Sequence, residues 1–304
     1  MRYAEVLGER VSKIGLGTWQ FGSAEWGYGS DYAGGAAPAI VASALESGVN
    51  LFDTAEIYAF GRSEEILGRA LAGRREQAFI ATKMVPILPL APLVRRAARK
   101  SAARLGITSI DLYQMHGPSP QVPLSNTMAG FRALQAAGTI RQAGVSNYSL
   151  DRWKHAEAAL GSPVFSNQVA YSLVNRTAER DLIPYAEATG RLVLAYSPLG
   201  QGFLGGNYRG GARPGGVRRA NSAFRRGADP AAEVLLDALK EIGDRHGATA
   251  AQVSLAWVTR SPNVVAIPGA RTVEQMERNA AAADLVLEPG EIERLSDASA
   301  DFQP

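Results

Sequence analysis

The feature that most constrains the fold is a regular alternation of short apolar runs with amphipathic segments along the 304-residue chain. Eight runs have the length and composition of strands: residues 14–17, 51–54, 79–84, 112–116, 142–146, 165–169, 192–197 and 264–268. Amphipathic helical segments lie between them, at residues 39–47, 63–72, 93–105, 127–137, 151–160, 178–188, 249–260 and 272–282. Eight such units predict an α/β chain with one domain over residues 1–304, a (β/α)8 TIM barrel. A doubly wound open sheet is the alternative.

Four local patterns refine this barrel. The stretch from Tyr3 to Val11 predicts an N-terminal hairpin that closes the barrel floor. Residues 202–229 form a long loop after strand 7 that is rich in Gly and Arg, and a structureless stretch of that length is usually functional or disordered. Thr249 with Gln252 and Thr272 with Gln275 predict capping boxes. Ser63 is followed by Glu64 and Glu65, which place two acids at a helix N-terminus.

Composition excludes several kinds of chemistry. The chain has no cysteine, which rules out disulfides, thiolate metal sites and cysteine nucleophiles. Its three histidines are scattered and form no His-Glu-x-x-His pattern, so we expect no metal site. No Gly-x-Ser-x-Gly or Ser-His-Asp arrangement is apparent, so a serine hydrolase is disfavoured.

The N-terminal residues alternate charged and apolar side chains, so no signal peptide is predicted. No apolar run approaches the ~18 residues that a membrane span needs. We therefore expect a cytoplasmic protein with no membrane partner.

Polar residues stand where several of the predicted strands end. Asp53, Lys83 and His116 close three successive strands, and the carboxyl ends of barrel strands face the active site. Lys83 is one of only five lysines and lies among apolar residues. A buried ammonium costs several kcal/mol unless it is paired, and Asp53 is the candidate partner. The bland interpretation is a plain salt bridge at the barrel mouth.

Tyr58 favours a functional site over a plain salt bridge, because it follows Asp53 by five residues on the loop that leaves the second strand. A cation beside a phenol favours phenolate, so we expect Lys83 to lower the pKa of Tyr58 below its ordinary value of about 10. Such a phenol can protonate an oxygen that develops negative charge. His116 then orients or polarises the same oxygen, although a histidine there is also typical of a barrel core. This set fits reduction of a carbonyl and contains no obvious nucleophile.

Reduction needs a hydride source, and two segments are candidates for binding a dinucleotide. Gly15 and Gly17 are followed by Gln20, so the Gly-x-Gly-x-x-Gly fingerprint is absent. Residues 267–275 end the eighth strand and open a helix, the usual place of a barrel phosphate site. Arg271 is able to bind a phosphate there, and an exposed loop arginine is the alternative.

Together these residues resemble the aldo-keto reductase family over essentially the whole chain. The motifs that carry the resemblance are Asn50-Leu-Phe-Asp-Thr-Ala-Glu-Ile-Tyr58, Thr82-Lys83, Asp111-Leu-Tyr-Gln-Met-His116-Gly-Pro118, Gly144-Val-Ser-Asn147, Asn167-Gln168 and the segment from Ile267 to Asn279. The resemblance implies a barrel oxidoreductase that reduces an aldehyde or ketone with NADPH. It implies that Tyr58 is the general acid, with Asp53 and Lys83 tuning it and His116 orienting the carbonyl.

The resemblance also implies which residues contact the cofactor. It assigns Ser146, Asn147 and Gln168 to the carboxamide and Tyr196 to the nicotinamide ring. The full set of expected cofactor-binding residues is Gly17, Thr18, Trp19, Asp53, Ser146, Asn147, Gln168, Tyr196, Ser197, Leu199, Gln201, Ile267, Gly269, Arg271, Gln275 and Asn279. Some branches of the family have Lys-Ser where this chain has Gly269 and Ala270, which weakens the preference for NADPH over NADH.

A substrate pocket is expected beside these residues. Trp19, Trp26, Tyr28 and Met84 lie on or just after the first and third strand ends, and they predict an apolar wall for a small-molecule carbonyl substrate. Each is equally compatible with a place in the barrel core. The sequence predicts neither the substrate itself nor the oligomeric state.

Three other functions are compatible with parts of this sequence. A cofactor-binding regulatory protein, similar to potassium-channel β-subunits, would bind NADPH with little turnover. A Schiff-base aldolase would use Lys83 as its nucleophile. The basic pI suggests a third function, nucleic-acid binding. That function needs a basic stripe with aromatic residues, such as Phe224. The charge instead lies in one loop, where six arginines exceed the formal net charge of +3: Arg209, Arg213, Arg218, Arg219, Arg225 and Arg226. By position we expect that loop to meet the phosphates of one dinucleotide.

Overall fold

A computed structural model describes residues 1–22, 30–212, 214–215, 222–227 and 229–302, with only the backbone of residues 30–34, 222 and 225. Eight parallel strands follow one another in chain order around a ring. Bridges from Ile14 to Ala266 and from Gly17 to Gly269 join the first strand to the last. The chain therefore folds as the (β/α)8 barrel that the alternation predicts.

The strands are short, as expected for a barrel whose helices cover its outside. Two form the N-terminal hairpin, β1 (Tyr3–Val6) and β2 (Glu9–Ser12), which pair antiparallel. The barrel strands are β3 (Leu16–Gly17), β4 (Leu51–Asp53), β5 (Phe79–Met84), β6 (Ile110–Met115), β7 (Ile140–Ser146), β8 (Ser166–Ala170), β9 (Leu192–Tyr196) and β10 (Val264–Ala266). The predicted hairpin is confirmed.

Helices separate the strands in nearly every unit. They are α1 (Ser30–Glu46), α2 (Arg62–Ala70), α3 (Ala91–Leu105), α4 (Leu124–Ala136), α5 (Leu150–Leu160), α6 (Leu182–Thr189), α7 (Ser222–Arg225), α8 (Pro230–His246), α9 (Ala250–Val258), α10 (Val273–Ala281) and α11 (Pro289–Ala298). The predicted segment at 39–47 is the second half of α1, and α7, α8 and α11 were not among the predicted segments.

The two faces of each strand bury different cores. Residues that point into the barrel, including Leu51, Phe79 and Leu112, form one cluster. Residues one position along, such as Tyr113 and Met115, pack against the surrounding helices. This alternation follows from the two-residue period of a strand. It decides which side chains reach the barrel mouth and which are hidden behind its wall.

The two predicted capping boxes fare differently. Thr249 and Gln252 form the full reciprocal box at the start of α9. The Thr272 hydroxyl accepts from the Gln275 backbone N–H at 3.2 Å, as predicted. The Gln275 side chain, however, accepts from the Arg271 backbone N–H at 2.8 Å rather than from that of Thr272. The second box was therefore only half correct.

The long loop after β9, the seventh strand of the barrel, is not structureless in its described residues. A 3-10 turn spans Gly200–Gly205, and α7 follows further on. Phe203 and Phe224 are fully buried, with ring centroids 5.8 Å apart in an edge contact. These two rings fasten the loop to the barrel.

Among the residues that the structure describes, no helix combines the length and the apolar character that crossing a membrane requires.

Candidate active site

Asp53 and Lys83 form a buried ion pair at the carboxyl end of the barrel. The Lys83 ammonium lies 2.5 Å from Asp53 Oδ1 and donates a second bond to the Thr54 carbonyl at 2.8 Å. Lys83 is only 1% exposed. Burial lowers the pKa of Lys83, but the negative charge of Asp53 offsets this effect and leaves the pKa above its ordinary value. Lys83 is therefore a permanent cation at neutral pH.

Tyr58 lies over this cation on the loop that leaves β4. Its ring centroid is 5.0 Å from Lys83 Nζ, and the Trp19 ring stacks against it with centroids 6.2 Å apart. The loop is tied by the Tyr58 N–H, which donates to the Ala55 carbonyl at 3.1 Å. The structure thus brings together the phenol, the lysine and the aspartate that the sequence placed at neighbouring strand ends.

The pKa of Tyr58 moves in the direction opposite to the one that we predicted. Burial of the phenol raises the pKa of Tyr58 above its ordinary value of 10.0. The Lys83 charge lowers that pKa, as expected, but Asp53 raises it and burial is the largest effect. The prediction failed because it counted the cation and omitted the loss of water around the phenol. Tyr58 is consequently a protonated phenol at neutral pH.

His116 meets Tyr58 edge to face, with ring centroids 5.6 Å apart and planes at 79°. Burial, and then the positive charge of Lys83, lower the pKa of His116 from 6.5 to about 4. The imidazole is therefore neutral at pH 7. A neutral ring beside a phenol is suited to orienting a polar oxygen without adding charge to the site.

A line of amide and hydroxyl groups extends from this cluster across the next strands. Gln168 Nε2 donates to Asp53 Oδ2 at 2.7 Å, and the Ser146 hydroxyl donates to the Gln168 carbonyl at 2.9 Å. Asn147 Nδ2 donates to Ser146 Oγ at 3.1 Å, while its Oδ1 accepts from the Tyr196 hydroxyl at 3.0 Å. Sequence analysis placed these residues at one edge but did not foresee the direct bond between Gln168 and Asp53.

Backbone strain is concentrated around the same mouth. Asn147, Ser197 and Gln201 all have left-handed φ values, of 59°, 51° and 58°. Such a conformation costs a non-glycine residue about 1 kcal/mol or more, and it persists where the surroundings enforce it. All three belong to the set of expected cofactor contacts.

The eighth strand and α10 form the far end of the line. The Gly269 carbonyl accepts from Asn279 Nδ2 at 3.3 Å, and Arg271 is exposed just before the helix begins. A Cβ on Gly269 would lie 3.0 Å from Gln20 Oε1, so a larger residue would crowd that side chain. The helix start and the arginine together favour a negatively charged group.

The remaining expected cofactor contacts line the same mouth. Gly17 pairs with Asp53 and Gly269, and Thr18 donates its hydroxyl to the Asp53 carbonyl at 3.0 Å. Leu199 is partly exposed beside the 3-10 turn, whereas Ile267 is buried. Their contacts with a cofactor stay predictions.

The expected substrate wall is only partly supported. Trp19 is 43% exposed beside Tyr58, as a pocket residue would be. Met84 is 3% exposed and belongs to the core cluster between the barrel and its helices, so its assignment to the pocket was wrong. Because Lys83 points into the barrel, the next residue along the strand points outward. Trp26 and Tyr28 lie outside the described residues.

The arginine-rich loop gives a mixed result. Arg209 binds Glu233 at 2.8 Å and Asp237 at 2.7 Å, and Arg226 lies 3.2 Å from Asp229. These two arginines are thus neutralised by acids of the chain itself. The other four arginines lie at positions 213, 218, 219 and 225, whose side chains are outside the described residues, so the expected contact with phosphates stays a prediction.

Sequence reasoning missed one charged pair behind the site. Glu64 is fully buried and lies 2.6 Å from Arg104 of α3. From the sequence, Glu64 is identified only as an acid at a helix start. Forty residues separate the two, and no local pattern connects them. The one sequence signal for this pair is that Glu64 stands on the face of α2 that packs toward the strands, where a buried acid needs a cation.

With this geometry in place, comparison with known proteins shows the family. The model of the Aldo/keto reductase family matches residues 13–300. An uncharacterized oxidoreductase of Mycobacterium tuberculosis is 52% identical over 305 residues, covering 100% of this chain and 94% of the relative. The chain therefore belongs to the aldo/keto reductase family, a family of oxidoreductases.

Two further matches come from better described proteins. A methylglyoxal reductase of Escherichia coli is 32% identical over 286 residues, covering 94% of this chain and 90% of the relative. The crystal structure of an aldo/keto reductase from Klebsiella pneumoniae, in complex with NADP and acetate, is 31% identical with a TM-score of 0.78. It covers 97% of this chain, and 95% of that structure's chain is matched.

Proposed function

We propose that this protein reduces an aldehyde or ketone to an alcohol with NADPH, and that Tyr58 is the general acid. The observation that carries the proposal is the contact between a protonated phenol, a buried lysine–aspartate pair and a neutral histidine at one barrel mouth. Reduction of a carbonyl needs a proton donor at its oxygen, and this set supplies one.

The proton inventory follows from the pKa directions. When the carbonyl carbon accepts a hydride, its oxygen gains a full negative charge and needs a proton. Tyr58 gives that proton, because burial keeps the phenol protonated until contact with the oxygen. Lys83 stabilises the phenolate that remains, and Asp53 holds the ammonium in place. The alcohol leaves, and Tyr58 regains a proton from solvent.

His116 acts on the same oxygen without competing for its proton. Its pKa of about 4 keeps the ring neutral, so it donates a hydrogen bond rather than a proton. Tyr58 and His116 lie close enough together to hold one carbonyl oxygen between them. Orientation of this kind contributes to rate by fixing the reacting atoms close together.

The residues of this chain fit a nicotinamide dinucleotide. The hydroxyl and amide groups of Ser146, Asn147 and Gln168 match a carboxamide, and the start of α10 with Arg271 matches a phosphate. When bound, the reduced nicotinamide supplies the hydride. The Klebsiella pneumoniae relative contains NADP, which supports NADPH over NADH here.

The substrate that we propose is a small carbonyl compound with an apolar or aromatic substituent. Trp19 exposes 43% of its surface beside Tyr58, which offers such a substituent an aromatic contact. The Escherichia coli relative is a methylglyoxal reductase, and a small dicarbonyl is therefore a sensible first compound in a substrate panel.

The rival functions are less well supported. An aldolase needs a neutral lysine amine, whereas Asp53 keeps the pKa of Lys83 above its ordinary value. Base stacking needs an exposed ring, and Phe224 is fully buried. A regulatory protein that binds NADPH without turnover remains the second candidate. We propose a cytoplasmic enzyme whose partner is its small-molecule substrate.

Cofactor binding and turnover test the proposal together. We expect NADPH to raise the melting temperature more than NADH does, and the NADPH absorbance to fall when aromatic aldehydes and methylglyoxal are added. Tight binding without oxidation of NADPH across the panel would favour the regulatory function. No stabilisation by either cofactor would overturn both.

A further inference from the structure

The backbone between Tyr58 and α2 is held in an unfavourable conformation. Ala59 and Phe60 have left-handed φ values of 48° and 57°, and Gly61 follows at 90°. Phe60 is 99% exposed, so its own side chain does not anchor the segment. Conformations of this kind persist only where neighbouring structure enforces them. Something outside the segment must therefore hold it.

Arg104 of α3 lies directly under this segment. A Cβ built on Gly61 would stand 2.7 Å from both Cδ and Nε of Arg104, closer than real side chains approach. The guanidinium stem therefore packs against the backbone of Gly61, three residues after Tyr58. Arg104 supports the loop from below, and only glycine leaves room for it.

Glu64 fixes Arg104 and connects it to the lysine strand. Arg104 Nε donates to Glu64 Oε2 at 2.6 Å, and the Thr82 hydroxyl donates to Glu64 Oε1 at 2.6 Å. Thr82 is the residue before Lys83 on β5, and Glu64 is fully buried. One carboxylate thus links the strand that carries Lys83 to the arginine that supports the Tyr58 loop.

Other residues of α3 show that this inward arginine is distinctive. Arg95, Arg96, Arg99 and Lys100 are exposed, and none has an ion pair within the part of the chain that the structure describes. Arg104 is 23% exposed and forms an ion pair with the buried Glu64. A buried pair of this kind is a weak source of net stability, which favours a role in geometry.

We propose that Arg104 and Glu64 are positioning residues, which set the place of the Tyr58 phenol relative to the Lys83 ammonium. The inference rests on the proposed role of Tyr58 as the acid. Neither residue touches the reacting atoms. They act through Gly61 on one side and Thr82 on the other.

Steady-state kinetics of Arg104→Met and Glu64→Gln separate positioning from mere stability. We expect kcat to fall about 10- to 100-fold, because a displacement of about 1 Å has that effect. KM and the NADPH dissociation constant should stay within about twofold, since neither residue contacts the ligands. Arg104→Lys, which keeps the charge, should recover part of kcat. Arg99→Met on the same helix is the matched control and should leave kcat unchanged.

A lower melting temperature with unchanged kcat in Arg104→Met would overturn the proposal. Crystal structures of wild type and Arg104→Met provide a measurement that needs no turnover. We expect the Tyr58 ring to move from its position 5.0 Å from Lys83 Nζ, and an unmoved ring would contradict the inference. If Arg104→Met does not fold, Glu64→Gln replaces it, with the same expected loss of kcat and the same expected movement of the Tyr58 ring. Wild type without reductase activity would refute the proposed function, while the ring position still decides this inference.

Discussion

The two ends of this barrel each bury an aspartate against a cation, and they differ in what surrounds the pair. At the floor, Asp111 lies 2.6 Å from Arg75 and 3.2 Å from Arg141, which in turn binds Glu9 of the hairpin at 2.7 Å. At the mouth, Asp53 meets one lysine, Lys83, at 2.5 Å. The floor network has two cations for two acids, and its arginines reach solvent.

The contrast shows how a buried aspartate paired with a cation differs with the exposure of that cation. The floor arginines are 31% and 54% exposed, so water and several partners share the charge. At the mouth, Lys83 is fully enclosed, and the pKa values of Tyr58, Lys83 and His116 are all displaced. Displaced pKa values beside strained backbone are typical of a functional site, whereas the shared network at the floor joins the hairpin to the barrel.

Removing the mouth cation should have the largest effect. In Lys83→Met the carboxylate of Asp53 stays buried, and among the described residues the Gln168 amide is its one remaining side-chain donor. We expect the free energy of unfolding to fall by about 3–5 kcal/mol and kcat to fall at least about 100-fold. Chemical denaturation and NADPH oxidation measure the two losses. Lys240→Met, which breaks an exposed pair, is the control. Full activity in Lys83→Met would contradict the claim that the ion pair at the mouth, unlike the network at the floor, serves catalysis.

Removing the floor acid should affect stability alone. Asp111→Asn leaves Arg75 without its buried partner, and we expect a loss of about 2–4 kcal/mol. The folded variant should retain kcat, because Asp111 lies at the opposite end of β6 from His116. Denaturation and turnover measured at the same temperature check both parts. A large fall in kcat without unfolding would mean that the floor takes part in catalysis.

The displaced pKa of His116 predicts a pH-dependent stability that belongs to the mouth. The folded protein holds the pKa of His116 at about 4, against 6.5 for the ordinary group, chiefly through burial. Between those values the unfolded chain binds more protons, so stability falls as pH drops from 6.5 to 4. A shift of this size corresponds to about 3 kcal/mol. We expect His116→Gln to lose this component, and identical pH profiles for the two proteins would contradict it.

The smallest effect is expected from Arg141→Ala. Its guanidinium is more than half exposed, and Asp111 keeps Arg75 when it is removed. We expect the melting curve to reveal a loss of about 1 kcal/mol or less, since exposed pairs contribute little. A loss as large as that of Asp111→Asn would show that Arg141, rather than the aspartate, holds the floor together.

Much of the site was predictable because it depends on strand ends. Asp53, Lys83 and His116 close consecutive strands, and a barrel brings such ends together whatever its loops do. Met84 could also have been placed correctly, because its side must be opposite to that of Lys83 on the same strand.

Features that depend on distant packing were out of reach. The direction of the Tyr58 pKa shift follows from how much water the folded loops exclude, which spacing does not reveal. The pair of Glu64 and Arg104 joins two helices across forty residues. The composition of the arginine-rich loop predicts a contact with phosphates, and it gives no sign that two acids of α8 bind Arg209.

Single-turnover reduction by Tyr58→Phe tests the central claim most directly. The variant keeps the ring beside Trp19 and His116 and removes only the hydroxyl. With NADPH already bound and an aldehyde at saturating concentration, we expect the rate of NADPH oxidation to fall at least about 100-fold relative to wild type. The NADPH dissociation constant and melting temperature should not change. A variant that oxidises NADPH as fast as wild type would show that Tyr58 is not the acid.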